Sequence, residues 1–402
     1  MKLYTILTIT FYFTTPVLLQ QRFSISDSIN AFAVDLLAAT SNEAGDDLNI
    51  ALSPYTVWTL LTIVSEGALE NTARQLDAVL RLPSNKNAIR SSFQNLSRLL
   101  ETKSNGAILQ LSNAIFTNQH FPVKEQFTRT SKQFYNVGIN PVDFKNTKEA
   151  ADAINKHVAK STGNRITELI NEGDIRNAQL FLTSTMFFKG EWKSPFNKSA
   201  THIDTFYDEK KNKIKVDMMY QLGVYPYSRF DDLKAEVLQL PYGFDGKFSM
   251  LIILPRGGQN VANLLGALSR TSFSSILDAL DQAAYEYSEE DIHVYLPKFK
   301  VTSDFNLDRV LDKMGAKDVF DPLRANLLGI FPHYLYLSRL VQKAEIEVDE
   351  EGTVAAAASG AAFPNRSPPP KFRANKPFLY VIVDNPTRSI VFIGKISNPK
   401  YN

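Results

Sequence analysis

Apolar positions follow two different periods along this chain, and the change from one to the other organises it. Between Asp27 and Ala39 they recur at helical spacing and predict an amphipathic helix. Ser53-Pro54 opens a second helical pattern, with Ser53 at the N-cap and Pro54 in the first turn. This helix is apolar on most sides (Val57, Trp58, Leu60, Leu61, Ile63, Val64), as a buried helix is, and Glu66-Gly67 ends it. Asn71–Leu80, Ile89–Leu100 and Lys148–Lys160 read as further helices. Ile108–Thr117 is strand-like, and Leu180–Lys189 is apolar on both faces, which suits the centre of a sheet. From about residue 202 short strands take over: Ala235–Leu240, Phe248–Leu254, Ile292–Leu296, Leu340–Val348, Phe378–Val383 and Ile390–Ile393. Helices first and strands later give an α+β class.

Residues 352–376 obey neither period. An alanine-rich stretch leads into prolines, and the whole reads as an exposed loop of about 20 residues or more. Loops of that length are functional or disordered. The N-terminus is also distinct. Lys2 precedes an apolar run from Leu3 to Leu19, followed by Gln20, Gln21 and Arg22. Residues 1–22 therefore read as a secretion signal, too short and too proline-interrupted to span a bilayer. An extracellular protein is expected, with residues 23–402 as one mature domain.

Composition narrows the chemistry. The 402 residues are 44% hydrophobic, enough for a large core. With 44 basic and 42 acidic side chains, nothing points to nucleic acid or a membrane as partner. Lys210, Lys211, Lys213 and Lys215 form the densest basic cluster and read as a solvated hairpin or loop. The helix around Arg90, Arg98 and Lys103 is too weakly basic to predict a glycosaminoglycan partner. No cysteine is present, so thiol catalysis, disulfides and cysteine-based zinc sites are excluded. Asn95, Asn197 and Asn365 head Asn-x-Ser triplets and are candidate glycan acceptors.

Searches for a catalytic centre fail. The chain has no nucleophile elbow, zinc-protease helix, phosphate-binding loop or dinucleotide fingerprint. His120, His157, His202, His293 and His333 show no ligand spacing, and adjacent carboxylates such as Glu350-Glu351 point apart along a chain. No enzyme activity, metal or cofactor is expected.

Short segments in a fixed order carry a family resemblance. They are Asn49 to Pro54, Glu66-Gly67-Ala68 with Thr72 and Gln75, and Phe187 to Trp192 followed by Pro195-Phe196. Next come Met218 to Gln221, Leu240-Pro241-Tyr242 and Leu296 to Phe299. Glu350 to Thr353 with its alanine run, Asn375 to Phe378, Phe392 to Lys395 and Asn398-Pro399 complete the set. From about residue 27 to 402 the chain resembles a serpin. The resemblance implies three β-sheets, about nine helices and an exposed reactive-centre loop at about 352–376. It also implies suicide inhibition: the protease cleaves the loop, and the loop inserts into the central sheet with the protease attached as an acyl complex. Gln342 and the lack of cysteine are similar to invertebrate members.

The family's register puts the scissile bond sixteen residues beyond Glu350, at Arg366–Ser367. An arginine there suits the carboxylate-based pocket of a trypsin-like protease. The implied hinge is Glu350, Glu351, Gly352, Thr353, Val354, Ala355, Ala356, Ala357 and Ala358. Alternate residues Thr353, Ala355, Ala357, Ser359 and Ala361 are small enough to enter a sheet, and Phe363 would enter last. Pro364 would remove one ladder bond near the end of insertion. Ser53, Thr56, Ser184 and Gln342 occupy the sheet-opening region, Trp192 and Lys298 the upper sheet, and His157 stands where a tryptophan is common. The expected function is irreversible inhibition of trypsin-like serine proteases by a secreted monomer. A non-inhibitory carrier, hormone precursor or chaperone is the alternative.

Overall fold

The computed structural model describes residues 23–352 and 368–400. Its first half runs α1 (Ile25–Ala44), β1 (Ile50–Leu52), α2 (Pro54–Gly67), α3 (Glu70–Leu80), α4 (Lys86–Leu100), β2 (Ala107–Asn118), α5 (Glu125–Tyr135), β3 (Ile139–Val142), α6 (Thr147–Ser161) and β4 (Leu180–Gly190). There follow β5 (His202–Tyr207), β6 (Lys213–Val224), β7 (Tyr227–Phe230), β8 (Ala235–Pro241), β9 (Phe248–Pro255), α7 (Val261–Leu268) and α8 (Phe273–Glu286). The last part holds β10 (Asp291–Pro297), β11 (Phe299–Asn306), α9 (Asp308–Met314), β12 (Leu337–Val348), β13 (Lys371–Arg373), β14 (Phe378–Asp384) and β15 (Ser389–Ile396).

Three sheets form: a five-stranded one ordered β11-β12-β4-β2-β3, a six-stranded one ordered β1-β15-β14-β9-β8-β7, and a four-stranded one ordered β13-β10-β6-β5. The six-stranded sheet is buried on both faces along β9, β14 and β15, where every residue is inaccessible. α2 lies in the same core. Nearly all its residues are buried, and Trp58 Nε1–H donates to Leu80 O at 3.0 Å.

The five-stranded sheet has two covered faces. Leu182, Met186 and Phe188 of β4, with Leu340 and Ala344 of β12, point into the main core. Phe181 and Val341 point the other way, under Ala150, Ala151, Ile154 and Val158 of α6. β4 and β12 are parallel along most of their length, from Leu337 opposite Leu180 to Glu347 opposite Lys189.

The structure corrects the sequence reading in several places. Helices do not stop near residue 202: α7, α8 and α9 follow, and α5 is a further helix that the apolar spacing does not predict. α8 carries Phe273, Ile276, Leu277 and Leu280 at helical spacing, all buried. α5 has only Phe127, Ser131 and Tyr135 buried, too few for a pattern. The loop does not run free to 376, because β13 pairs with β10 in parallel and buries Phe372. Ser53 occupies the N-cap position of α2 but makes no capping bond; its Oγ–H donates to Val391 O at 3.3 Å. The basic cluster does span a hairpin, the β5–β6 turn.

Candidate functional site

β12 leaves the top of the five-stranded sheet at Val348, and Asp349 to Gly352 continue upward onto a fixed platform. Trp192 makes that platform. Its indole N–H donates to Asp349 O at 2.7 Å and its backbone N–H to Glu351 O at 3.0 Å. The ring is 2% exposed and stacks on Tyr242, centroids 4.3 Å apart. Gly352 pairs with Trp192 as an isolated parallel bridge. A Cβ at Gly352 would lie 2.6 Å from Trp192 O and 2.7 Å from Pro195 Cβ, so only glycine fits this approach.

The two hinge carboxylates diverge, as adjacent residues on an extended chain must. Glu350 meets Lys298 Nζ at 2.8 Å and accepts from Thr201 Oγ1 at 2.8 Å. Burial alone would raise the Glu350 pKa, but Lys298 and Thr201 outweigh it and hold the group below its ordinary value. Glu351 pairs instead with Lys189 Nζ at 3.1 Å. Lys189 also meets Glu347 at 3.6 Å and Asp349 at 3.8 Å, so one β4 cation ties the upper end of β12 to β4. Burial opposes the charge on Lys189, yet these three carboxylates raise its pKa.

Lower in the same seam lies a closed polar network. Gln342 on β12 is registered opposite Ser184 on β4. Its Nε2 donates to Ser53 O at 2.8 Å and Ser184 Oγ at 2.9 Å, with Thr56 Oγ1 at 3.2 Å. Its Oε1 accepts from Ser53 N at 3.1 Å. Thr56 Oγ1 and Ser184 Oγ are 2.6 Å apart, and Thr56 also donates to Ser53 O at 3.0 Å. All four residues are at most 1% exposed. The structure thus brings together the entire sheet-opening set expected from sequence, at the joint of β4, β12 and the N-terminus of α2.

Other expected residues fall apart from this seam. His157, on α6, packs edge-on against Phe116 at 5.5 Å, and burial followed by Lys160 lowers its pKa. Asn95 and Asn197 are exposed; Asn197 Oδ1 accepts from Ser199 N and Ser199 Oγ. Thr353, Val354, Ala355, Ala356, Ala357, Ala358, Asn365, Arg366 and Ser367 lie outside the described residues, as does the 1–22 segment. Sequence reasoning missed Lys189 and Thr201. The contact of Thr201 with Glu350 spans 149 positions, and no local pattern announces it. Among the described residues no metal-ligand cluster occurs, and no helix is long and apolar enough to cross a membrane.

Comparison with known proteins agrees with this architecture. The profile of the family Serpin (serine protease inhibitor) matches residues 27–399. The chain is a serpin. A serpin-like protein of Methanosarcina acetivorans is 32% identical over 390 residues, covering 94% of this chain and 89% of its own. The leukocyte elastase inhibitor of Xenopus tropicalis is 33% identical over 381 residues, covering 94% of this chain and 100% of that one. Among solved structures, the Manduca sexta serine protease inhibitor (serpin)-12 is similar with a TM-score of 0.81 and 26% identity, over 94% of this chain and 99% of that one. Three sheets and nine α-helices among the described residues are the serpin fold, and the family relationship makes protease inhibition, rather than catalysis, the general role.

Proposed function

We propose that this serpin is an irreversible suicide-substrate inhibitor of trypsin-like serine proteases, cleaved at Arg366–Ser367. The observation that carries the reading is the parallel β4–β12 seam with Gly352 held at its upper end. A chain that leaves the top of β12 and turns back runs antiparallel to β12, and therefore to β4 as well. Inserting it replaces one parallel ladder with two antiparallel ones, the better-bonded arrangement. Thr353, Ala355, Ala357, Ser359 and Ala361 are small enough for the inward face of such a strand.

The chemistry follows. The protease serine Oγ attacks the Arg366 carbonyl carbon, the Arg366–Ser367 bond breaks, and the Ser367 amine leaves with a proton. Insertion then draws the ester-linked protease away before water hydrolyses it. Elastase has a small specificity pocket that would not admit arginine. The amphibian relative's name therefore does not set the target here; Arg366 does. In this reading residues 1–22 direct secretion, 23–402 form one inhibitory domain, and the inhibitor acts outside the cell as a monomer. Cleavage of the loop should raise the thermal midpoint by tens of degrees; equal midpoints before and after cleavage would remove the insertion mechanism.

A further inference from the structure

Beyond the proposed scissile bond the chain reads Pro368-Pro369-Pro370 and then enters β13. A proline ring fixes φ at about −65° and removes the backbone donor. A residue before a proline is also driven to extended backbone. Prolines in succession therefore favour a polyproline II rod, rising about 3.1 Å per residue. The run cannot lengthen the β13–β10 ladder upward, because it has no N–H to give. Its last carbonyl does join the sheet: Pro370 O accepts from His293 N at 2.9 Å. At this foot lies a cleft of about 360 Å³, walled by Tyr225, Tyr227 and Tyr287 beside Pro370. The rings are held from different elements. Tyr227 on β7 packs edge-on against Phe372, centroids 6.3 Å apart, and its Oη accepts from Arg229 Nε at 2.8 Å. Tyr225 packs on the backbone of β6, where a Cβ at Gly223 would come within 3.0 Å of its ring. Tyr287 follows α8; its N–H donates to Ala283 O at 3.0 Å and its carbonyl accepts from Glu290 N at 3.1 Å. The Tyr287 side chain is half-exposed.

We propose that Pro368–Pro370 form a strut footed in the cleft of Tyr225, Tyr227 and Tyr287, which fixes the height and direction at which the reactive loop leaves the body beyond its scissile bond. The occupant of the cleft is thus the chain's own proline run. Aromatic-lined grooves suit polyproline II, because proline rings lie flat on aromatic faces and the rod has little conformational entropy left to lose. A loop set in advance presents its bond to a protease without first having to be ordered. The prolines also lie on the side of Arg366–Ser367 that stays with β13, so their stiffness does not oppose insertion. Pro368, Pro369, Pro370 and Tyr287 are positioning residues that act through the loop.

The inference rests on cleavage at Arg366–Ser367 for its consequence, faster protease capture, but the strut itself is tested without protease. Hydrogen exchange in the intact protein compares wild type with Tyr287→Ala and Tyr287→Phe. The His293 amide, bonded to Pro370 O, should exchange about fivefold faster in Tyr287→Ala and at the wild-type rate in Tyr287→Phe, which keeps the ring. Amides of β14 should not change in either variant. Equal His293 rates in wild type and Tyr287→Ala would overturn the footing, and so would equal acceleration in β14, which would mean general destabilisation. Trypsin kinetics then read the strut's role. The association rate constant should fall about tenfold in the double variant Pro368→Ala/Pro369→Ala and several-fold in Tyr287→Ala. The number of inhibitor molecules consumed per protease should stay the same. A free Phe363–Phe372 peptide should lose much less on the same proline changes. Equal losses in peptide and protein, or unchanged rates in both variants, would overturn the positioning role. If trypsin leaves the wild-type bond intact, the inhibitory reading fails, and the exchange result still decides the strut.

Discussion

Gln342 Nε2 on β12 donates at 2.9 Å to Ser184 Oγ, the residue registered opposite it on β4. This bond crosses the β4–β12 line, where the proposed loop insertion would open the sheet. Its donor group also serves Ser53 O, and Gln342 Oε1 accepts from Ser53 N. One side chain thus fastens β12 to β4 and to the start of α2 at once.

Gln342→Leu should leave the buried Ser53 N–H without an acceptor, a loss of about 1–3 kcal/mol. Differential scanning calorimetry of the uncleaved variant should show a lower midpoint by several degrees. An unchanged midpoint would mean that the network contributes nothing net.

Gly352→Ala forces a Cβ against Trp192 O and Pro195. The hinge should lift from Trp192, and the indole fluorescence should shift as its bond to Asp349 O loosens. Global stability should fall less than in Gln342→Leu, because the clash lies at the top of the sheet. A spectrum identical to wild type would contradict the close packing described above.

How much of this was legible beforehand depends on distance along the chain. α2 was readable because its apolar side chains surround the helix, and β4 because both its faces are apolar. α8 carries an equally plain helical spacing in Phe273, Ile276, Leu277 and Leu280, set among short strands. Ser53, Thr56, Ser184 and Gln342 were found through family order, since their spacing shows no local period. Lys298–Glu350, Arg165–Phe187 and Lys189–Glu351 join residues that only the folded sheets bring together. The Ser53 cap failed because its hydroxyl faces Val391 O, a partner 338 positions away.

Asp308 supplies a pH signature. Burial pushes its pKa up to about 6, against the Leu340 N–H and Arg339, which favour the carboxylate. An unfolded aspartate titrates near ~3.9. Between these values the folded protein holds a proton that the unfolded chain lacks, so this group's contribution to stability falls as pH rises from about 4 to 6. Asp308→Asn should remove that loss. Relative to wild type, the variant should gain about 2 kcal/mol between pH 4.5 and 7.5 in denaturant unfolding. A constant difference across that range would place the titration elsewhere.

Thr353→Arg would require a charge to enter the sheet with the first inserted residue, at a cost of several kcal/mol. The variant should still be cleaved after Arg366 at a near wild-type rate but should release active protease. Retained full inhibition would contradict insertion as the trapping step.

The most direct measurement is incubation of the purified protein with trypsin, followed by denaturing electrophoresis and mass spectrometry. The account predicts a denaturant-stable complex with the protease and a released peptide beginning at Ser367. Cleavage after Arg366 with no complex, and trypsin still active, would contradict it.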